Sequence, residues 1–234
     1  MVDIHCHILP GIDDGPDDIQ ESIRMSEIAA RDGITRIVAT PHIKHKLLPF
    51  KEIKDKVEEL NSHLTAKGIP VQILQGADVN ALIGVSLLNG LTINNTNYIL
   101  IEFPHSHFPL NAREAVFKMV VNGYRPIISH PERNLSVMKN PDILTGLVDA
   151  GALVQITAES LTGAFGPDMR QCAFYLLSRG VVDFLATDAH SSQWRRPVLS
   201  EGLKAAEDVL GRESASLLVN SNPEAVLAGR SIND

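Results

Sequence analysis

His5 and His7 stand one residue apart near the start of the chain, and their neighbours Val2 and Ile4 are β-branched and apolar. That composition predicts a short buried strand, in which every second side chain falls on the same side. Both imidazoles are then delivered to one face, about 6–7 Å apart along the strand, where both can reach one metal ion. Cys6 alternates away from them and reads as a packed residue. Asp13 and Asp14 follow directly, and the Gly15-Pro16 break behind them is expected to start a helix. The chain therefore opens on a strand that ends in metal ligands.

Other potential ligands close later apolar runs. His42 follows the run 35–40, Asp78 closes 71–78, Glu102 closes 98–102 and His130 closes 125–130, while Asp188 and His190 stand at the end of 182–188. The run ending near Thr157 has no such residue at its tip, with Glu159 just beyond it. Five of the nine histidines lie at strand ends, although composition places histidine almost anywhere, so the coincidence points to a shared site. A mixed imidazole and carboxylate set suits zinc, manganese or iron better than calcium or magnesium. Eight or nine ligands exceed what one ion takes, so two or three metals sharing a carboxylate are expected. His105 and His107 follow Pro104 and read as solvated loop residues, and His45 and His63 as surface positions.

The elements that must position these residues alternate. Helical spacing of apolar residues predicts helices over 16–32 (Ile19, Ile23, Ile28), ended by Gly33, and over 51–67 (Ile53, Val57, Leu60, Leu64), ended by Gly68. The stretch 80–97 is less regular and reads as a helical turn plus loop. Further helices are expected over 112–122, 141–150 and 167–179, separated by the strands 125–130, 153–157 and 182–188, with 199–210, 213–218 and 223–227 in the tail. Strands alternating with helices imply a parallel sheet under helical cover. About seven such units without a linker predict one α/β domain over 1–234, a (β/α) barrel slightly short of eight units. In a parallel barrel the chemistry gathers at the C-terminal ends of the strands, where the candidate ligands lie.

Several classes are excluded or disfavoured. A cysteine phosphatase needs Cys, five residues, then Arg, but the count from Cys6 reaches Ile12 and from Cys172 reaches Ser178. Neither a Gly-x-Ser-x-Gly elbow nor a Gly-x-x-x-x-Gly-Lys phosphate loop is present. A net charge of −7 disfavours nucleic acid as a partner. There is no apolar run of about 18 residues and no leader pattern, so no membrane insertion is expected. Two cysteines cannot form a disulfide framework, which makes the cytoplasm the expected compartment.

Together, Asp3-Ile-His-Cys-His7 with Asp13-Asp-Gly-Pro16, Ala39-Thr-Pro-His42, Tyr98-Ile-Leu-Ile-Glu-Phe-Pro104, Ile127-Ile-Ser-His-Pro-Glu-Arg133 and Ala186-Thr-Asp-Ala-His190 resemble the polymerase-and-histidinol-phosphatase (PHP) superfamily. More narrowly, they resemble its bacterial tyrosine phosphatases of capsule and exopolysaccharide operons, the CpsB/CapC type. The resemblance runs in order from the first residue to about 197, over nearly the whole chain. It implies a single distorted (β/α)7 barrel of the PHP type with two or three metals, manganese foremost and zinc or iron otherwise. By motif, His5, His7, Asp78 and Asp188 would bind one ion, which Asp78 bridges to a second held by Glu102 and His130. Asp14, His42 and His190 would hold the third, Arg133 and Arg196, or Arg195 beside it, would bind phosphate, and Asp14 or His42 would donate a proton. The implied reaction is hydrolysis of phosphotyrosine by a hydroxide held between metals. The implied partner is the tyrosine-rich tail of a bacterial autophosphorylating kinase, and association into rings, a homo-oligomer, is a further family trait.

Two departures from the family pattern stand out. Asp78 replaces a Glu, one methylene longer, so the backbone must approach the metals more closely. The stretch 43–50 replaces a second histidine and a Gly-x-Tyr-x-Asn segment beside the site. Two other activities share the metal set: hydrolysis of a small phosphomonoester such as histidinol phosphate, and a metal-binding regulatory partner of the kinase with little catalysis. An amidohydrolase or nuclease has the barrel but conflicts with His-Pro-Glu-Arg and the acidic charge.

Overall fold

The computed structural model describes residues 1–43 and 50–232; His45 and nearly all of the divergent stretch 43–50 lie outside the described residues. Among the described residues nine parallel strands form two sheets: β1 (Val2–Cys6), β2 (Arg36–Ala39), β3 (His42–Ile43), β4 (Gln72–Gln75), β5 (Asp78–Asn80), β6 (Tyr98–Glu102), β7 (Arg125–Ser129), β8 (Leu153–Thr157) and β9 (Phe184–Ala186). The smaller sheet runs β1-β2-β4 and the larger β3-β5-β6-β7-β8-β9. The chain steps from one sheet to the other between Ala39 and His42, and again between Gln75 and Asp78, so β2/β3 and β4/β5 are each one interrupted strand. The predicted strand 71–78 is thus broken in two. A Cβ at Gly76 would lie 2.6 Å from Val38 Cγ1, so the break packs against β2 only because glycine stands there. Closure comes from β9 meeting β1, where His7 N–H donates to Ala189 O (2.8 Å) and Asp188 N–H to His5 O (2.8 Å). The result is a closed, distorted (β/α)7 barrel.

β1 carries a bulge. Its register with β2 passes from Asp3↔Ile37 to Cys6↔Ala39, so one extra residue is accommodated on β1. Ile4 consequently packs in the barrel interior with Val38, Leu100, Ile127 and Phe184, and His5 and His7 also point inward, while Cys6 joins the outer core beneath the helices. Simple alternation would have put Ile4 and His5 on opposite faces.

The helices fill the outer layer. Ile19–Asp32 starts three residues later than expected because Gly11 N–H donates to Pro16 O (2.8 Å) and keeps the preceding residues in a loop. Asp18 caps that helix by accepting Glu21 N–H (2.9 Å), and Gly33 closes it at φ +87°. Phe50–Ala66, Ala112–Val121, Pro167–Ser178, Ser200–Leu210, Arg212–Leu217 and Ser221–Leu227 fall close to their predicted spans. The predicted helix 141–150 is shorter, Ile143–Val148, and is preceded by Leu135–Lys139, which Asn134 caps at Ser136 N–H (2.8 Å). The stretch 80–97, expected as a helical turn plus loop, holds the end of β5 and two 3-10 turns, Val85–Leu87 and Ile93–Asn95. No helix among the described residues is long and apolar enough to cross a membrane.

Candidate metal centre

The C-terminal mouth of the barrel gathers the side chains. His42 on β3 is the register partner of Asp78 on β5, and Glu102 on β6 is the register partner of Asn80. The broken strands therefore bring an imidazole and a carboxylate side by side. His130 and Asp188 sit just past β7 and β9 with left-handed backbones, φ +32° and +51°. Non-glycine residues adopt that region at a cost, and here it turns both side chains into the mouth. The long loop after β1 returns Asp13 and Asp14 to the same place.

His5 Nε2, His7 Nε2 and Asp188 Oδ1 are mutually 3.2–3.3 Å apart, with Asp78 Oδ2 at 4.0 Å from His5 Nε2. His42 Nδ1 approaches Asp78 Oδ2 (3.1 Å) and Glu102 Oε2 (3.5 Å), and Glu102 Oε1 lies 3.7 Å from His130 Nε2. On the other side of the His42 ring, Nε2 is 3.4 Å from Asp14 Oδ1, which is 3.6 Å from His190 Nε2. His7, Asp14, His42 and His190 form one group able to hold an ion; His5, His7 and Asp78 a second, His5, His130 and Asp188 a third, and His42, Asp78 and Glu102 a fourth. Shared members make these one continuous multinuclear site. A cavity of about 350 Å³ opens above it, lined among others by Asp14, Asn80, Phe103, Arg133 and Arg195.

Residues behind the donors hold them in orientation. His5 Nδ1 meets Gln155 Oε1 (2.8 Å), His7 Nδ1 meets Asp13 Oδ2 (2.7 Å) and His190 Nδ1 meets Asp188 O (2.9 Å). Each of those partners is an acceptor, so each Nδ1 carries a proton and each Nε2 is left to point into the cluster. The Nε2 atoms of His5 and His7 consequently face each other at 3.2 Å, an arrangement that either a proton or a metal ion between them satisfies. Asp78 is buried with neither carboxylate oxygen hydrogen-bonded, and the buried His42 Nδ1 and His190 Nε2 also make no hydrogen bond among the described residues, although each faces a carboxylate. A buried carboxylate without hydrogen bonds is costly, and divalent cations coordinated by this N/O set remove the cost. The residues present therefore fit a multinuclear metal site.

The electrostatics agree. Burial raises Asp188, but His5, His7, His130 and Arg195 outweigh it and hold the carboxyl well below its ordinary range. Glu102 is likewise brought to about 2, against burial, by His105, His130 and His42. Burial lowers His5 and His130, and burial with the neighbouring His7 brings His190 to about 3. Ionised carboxylates and neutral imidazoles are the forms that ligate metals. His7 differs: burial opposes its charge, but the hydrogen bonds to Asp13 and Asp188 raise it to about 10, so it gives up a proton when it ligates.

The structure brings together His5, His7, Asp14, His42, Asp78, Glu102, His130, Arg133, Asp188 and His190. Arg196 is the exception: it is exposed and absent from the cavity lining, whereas Arg195 reaches Asp188 Oδ2 at 2.5 Å beside Arg133 NH1, also at 2.5 Å. The left-handed backbone at Arg195, φ +52°, turns its side chain inward in place of its neighbour's. His105, expected to be a solvated loop residue, is exposed yet contacts Glu102 Oε1 through Nε2 (3.1 Å) and lines the cavity. His107 and His63 are exposed. Glu159 lies in the helix Ala158–Thr162 outside the cavity lining. The orienting roles of Asp13 and Gln155 escaped the sequence reading; the only signal was their position, beside Asp14 and on the strand lacking a ligand.

Comparison with known proteins places this geometry. The family model for capsular polysaccharide synthesis, CpsB/CapC, matches residues 1–228. The chain is 37% identical over 238 residues to the tyrosine-protein phosphatase YwqE of Bacillus subtilis strain 168, covering 99% of this chain and 93% of that protein. It is 38% identical over 199 residues to CapC of Staphylococcus aureus, covering 82% and 77% of the two. A crystal structure from work on YwqE and Streptococcus pneumoniae CpsB, described as metal-dependent tyrosine phosphatases, superposes with a TM-score of 0.93 at 36% identity, covering 99% of this chain and 96% of that one.

Proposed function

The chain belongs to the CpsB/CapC family of capsular polysaccharide synthesis proteins, and from that premise we propose that it is a metal-dependent protein-tyrosine phosphatase of capsule or exopolysaccharide synthesis. The observation that carries this reading is Asp78, a buried carboxylate with neither oxygen hydrogen-bonded, set among histidines and acids at a mouth lined by two arginines. His5, His7, Asp78 and Asp188 would hold one ion; Asp78, Glu102 and His130, with His42 Nδ1 nearby, a second; and Asp14, His42 and His190 a third. The short side chain of Asp78 is served by the β4/β5 break, which carries its backbone to the register position beside His42. Manganese is the proposed metal.

When bound, such metals lower the pKa of water from about 15.7 toward 7 and neutralise phosphoryl charge. Arg133 and Arg195 line the cavity and bind the phosphoryl oxygens, Arg133 steadied by the Phe165 ring 4.6 Å away. A phenolate leaving group, with a pKa near 10, needs little acid assistance. The proposed partner is the phosphotyrosine-bearing tail of a bacterial tyrosine kinase. Residues 1–234 act as one catalytic domain that assembles as a homo-oligomer, and the two free cysteines, Cys6 and Cys172, support a cytoplasmic location.

The test is phosphate release from a phosphotyrosine peptide by chelator-treated protein, with and without manganese. Release that requires the metal and survives thiol alkylation is the expected result. Failure of folded protein to release phosphate with manganese, zinc or iron overturns the reading.

A further inference from the structure

Between His130 and Arg133 the chain makes a single 3-10 turn, Pro131–Arg133, closed by Arg133 N–H donating to His130 O (3.1 Å). Both ends of this turn enter the cavity, but the residue between them points away from it. Glu132 is fully buried, and its Oε1 accepts from Thr157 N–H (2.9 Å) and Ser160 Oγ–H (2.6 Å), where β8 passes into Ala158–Thr162. On the opposite flank Asn134 Nδ2 donates to Pro104 O (2.6 Å), just past β6. The turn is thus tied to the strands on both sides of β7. Neither hydrogen bond to Glu132 comes from a basic side chain, so its burial is not offset by an ion pair. Its second oxygen, Oε2, makes no hydrogen bond among the described residues, and its connection to the chemistry is the backbone of Arg133, the next residue in the turn.

We propose that Glu132 is a positioning residue: by clamping the Pro131–Arg133 turn to the end of β8, it sets the Arg133 guanidinium above Asp188 for binding the phosphoryl group. The proposal rests on the phosphatase reading for its substrate. It does not require tyrosine specificity, because inorganic phosphate probes the same arginine. Glu132 touches neither metal nor substrate. Because His130 follows directly on β7 while Arg133 depends on the turn, loosening the turn weakens the grip on phosphate more than the hold on metal.

The test uses the manganese-loaded full chain and the variants Glu132→Ala, Glu132→Gln, Ser160→Ala, Arg133→Ala and the double variant Glu132→Ala/Arg133→Ala. Inorganic phosphate affinity is measured calorimetrically, KM and kcat on a phosphotyrosine peptide, and metal content and Tm in parallel. Glu132→Ala is expected to weaken phosphate binding and raise KM together by about tenfold, with kcat within about threefold. Glu132→Gln, which keeps an acceptor at Oε1, should remain within about threefold of the parent, and Ser160→Ala, which removes one of two bonds, should show a smaller rise of the same kind. Because Glu132 acts through Arg133, adding Glu132→Ala to Arg133→Ala should change phosphate affinity by less than about twofold. A fall in Tm with phosphate affinity unaltered overturns the proposal, as does full additivity in the double variant. Should Glu132→Ala fail to fold, Ser160→Ala and Glu132→Gln decide by the same measure: unaltered phosphate affinity in Ser160→Ala refutes the clamp. If the parent binds phosphate but hydrolyses no phosphotyrosine, the tyrosine reading fails, while the phosphate series still decides the role of Glu132.

Discussion

Replacing Asp13 by Asn changes a residue outside the ligand set, yet it should weaken the metal centre measurably. Oδ2 of Asp13 accepts from His7 Nδ1–H (2.7 Å) and His42 N–H (2.9 Å), and Oδ1 accepts from Gly15 N–H (3.1 Å). An amide has one acceptor oxygen. With that oxygen at the Oδ2 position, the new NH2 faces Gly15 N–H, donor against donor; flipped, it faces His7 and His42. The first orientation keeps His7 aimed but discards a bond and the negative charge that makes Nε2 a stronger ligand. Loss of such a partner behind a ligand typically costs 10–100-fold in metal affinity, about 1.4–2.7 kcal/mol. One lost hydrogen bond to a charged group, about 1.5–3 kcal/mol, is of the same size. The assay is calorimetric titration of chelator-stripped protein with Mn2+, with Tm recorded on the stripped protein to separate folding from binding. Most of the activity should return at saturating manganese, because no ligand has been removed. An Asp13→Asn protein with manganese affinity within twofold of the parent, and an unchanged Tm, would refute the orienting role of this carboxylate.

Two further outcomes are expected. Arg195→Gln should raise KM for a phosphotyrosine peptide by about tenfold or more, while Arg196→Gln stays within about twofold, as steady-state kinetics at saturating metal will read; the reverse order would contradict the inward placement of Arg195. Burial raises Asp183 to about 6 from the ordinary 3.8, against the Val154 N–H bond it accepts at 2.8 Å. The folded chain then holds this proton more tightly than the unfolded chain, so the residue costs stability as pH rises through that window, and the full cost is present above pH 6. Asp183→Asn, which keeps an acceptor for Val154, should therefore raise Tm at pH 7.5 by about 2–4 °C, the effect of roughly 1 kcal/mol in a chain of this size. That advantage should vanish below about pH 4, and an equal gain at both pH values would show that the charge of Asp183 is not the cause.

The sequence by itself determined the strand-then-helix alternation, the ends at which ligands collect and the pairing of His5 with His7. These rest on periods of two and 3.6 residues, built into the covalent chain, and on local punctuation such as Asp18 and Gly33. What it did not contain was phase and partnership. The bulge in β1 puts Ile4 and His5 both inside the barrel, and it exists because β1 must pair with β2 and also close on β9. The step at Gly76 splits a run that reads as one strand, since only the approach of Val38 shows that a side chain has no room there. Gln155 meets His5 across 150 residues of chain, so no local pattern announces it. Between Arg195 and Arg196 a single positive φ chose which guanidinium faces Asp188. Local periodicity supplied the ligands, and only long-range packing could aim them, because aim depends on contacts between residues that are distant along the chain.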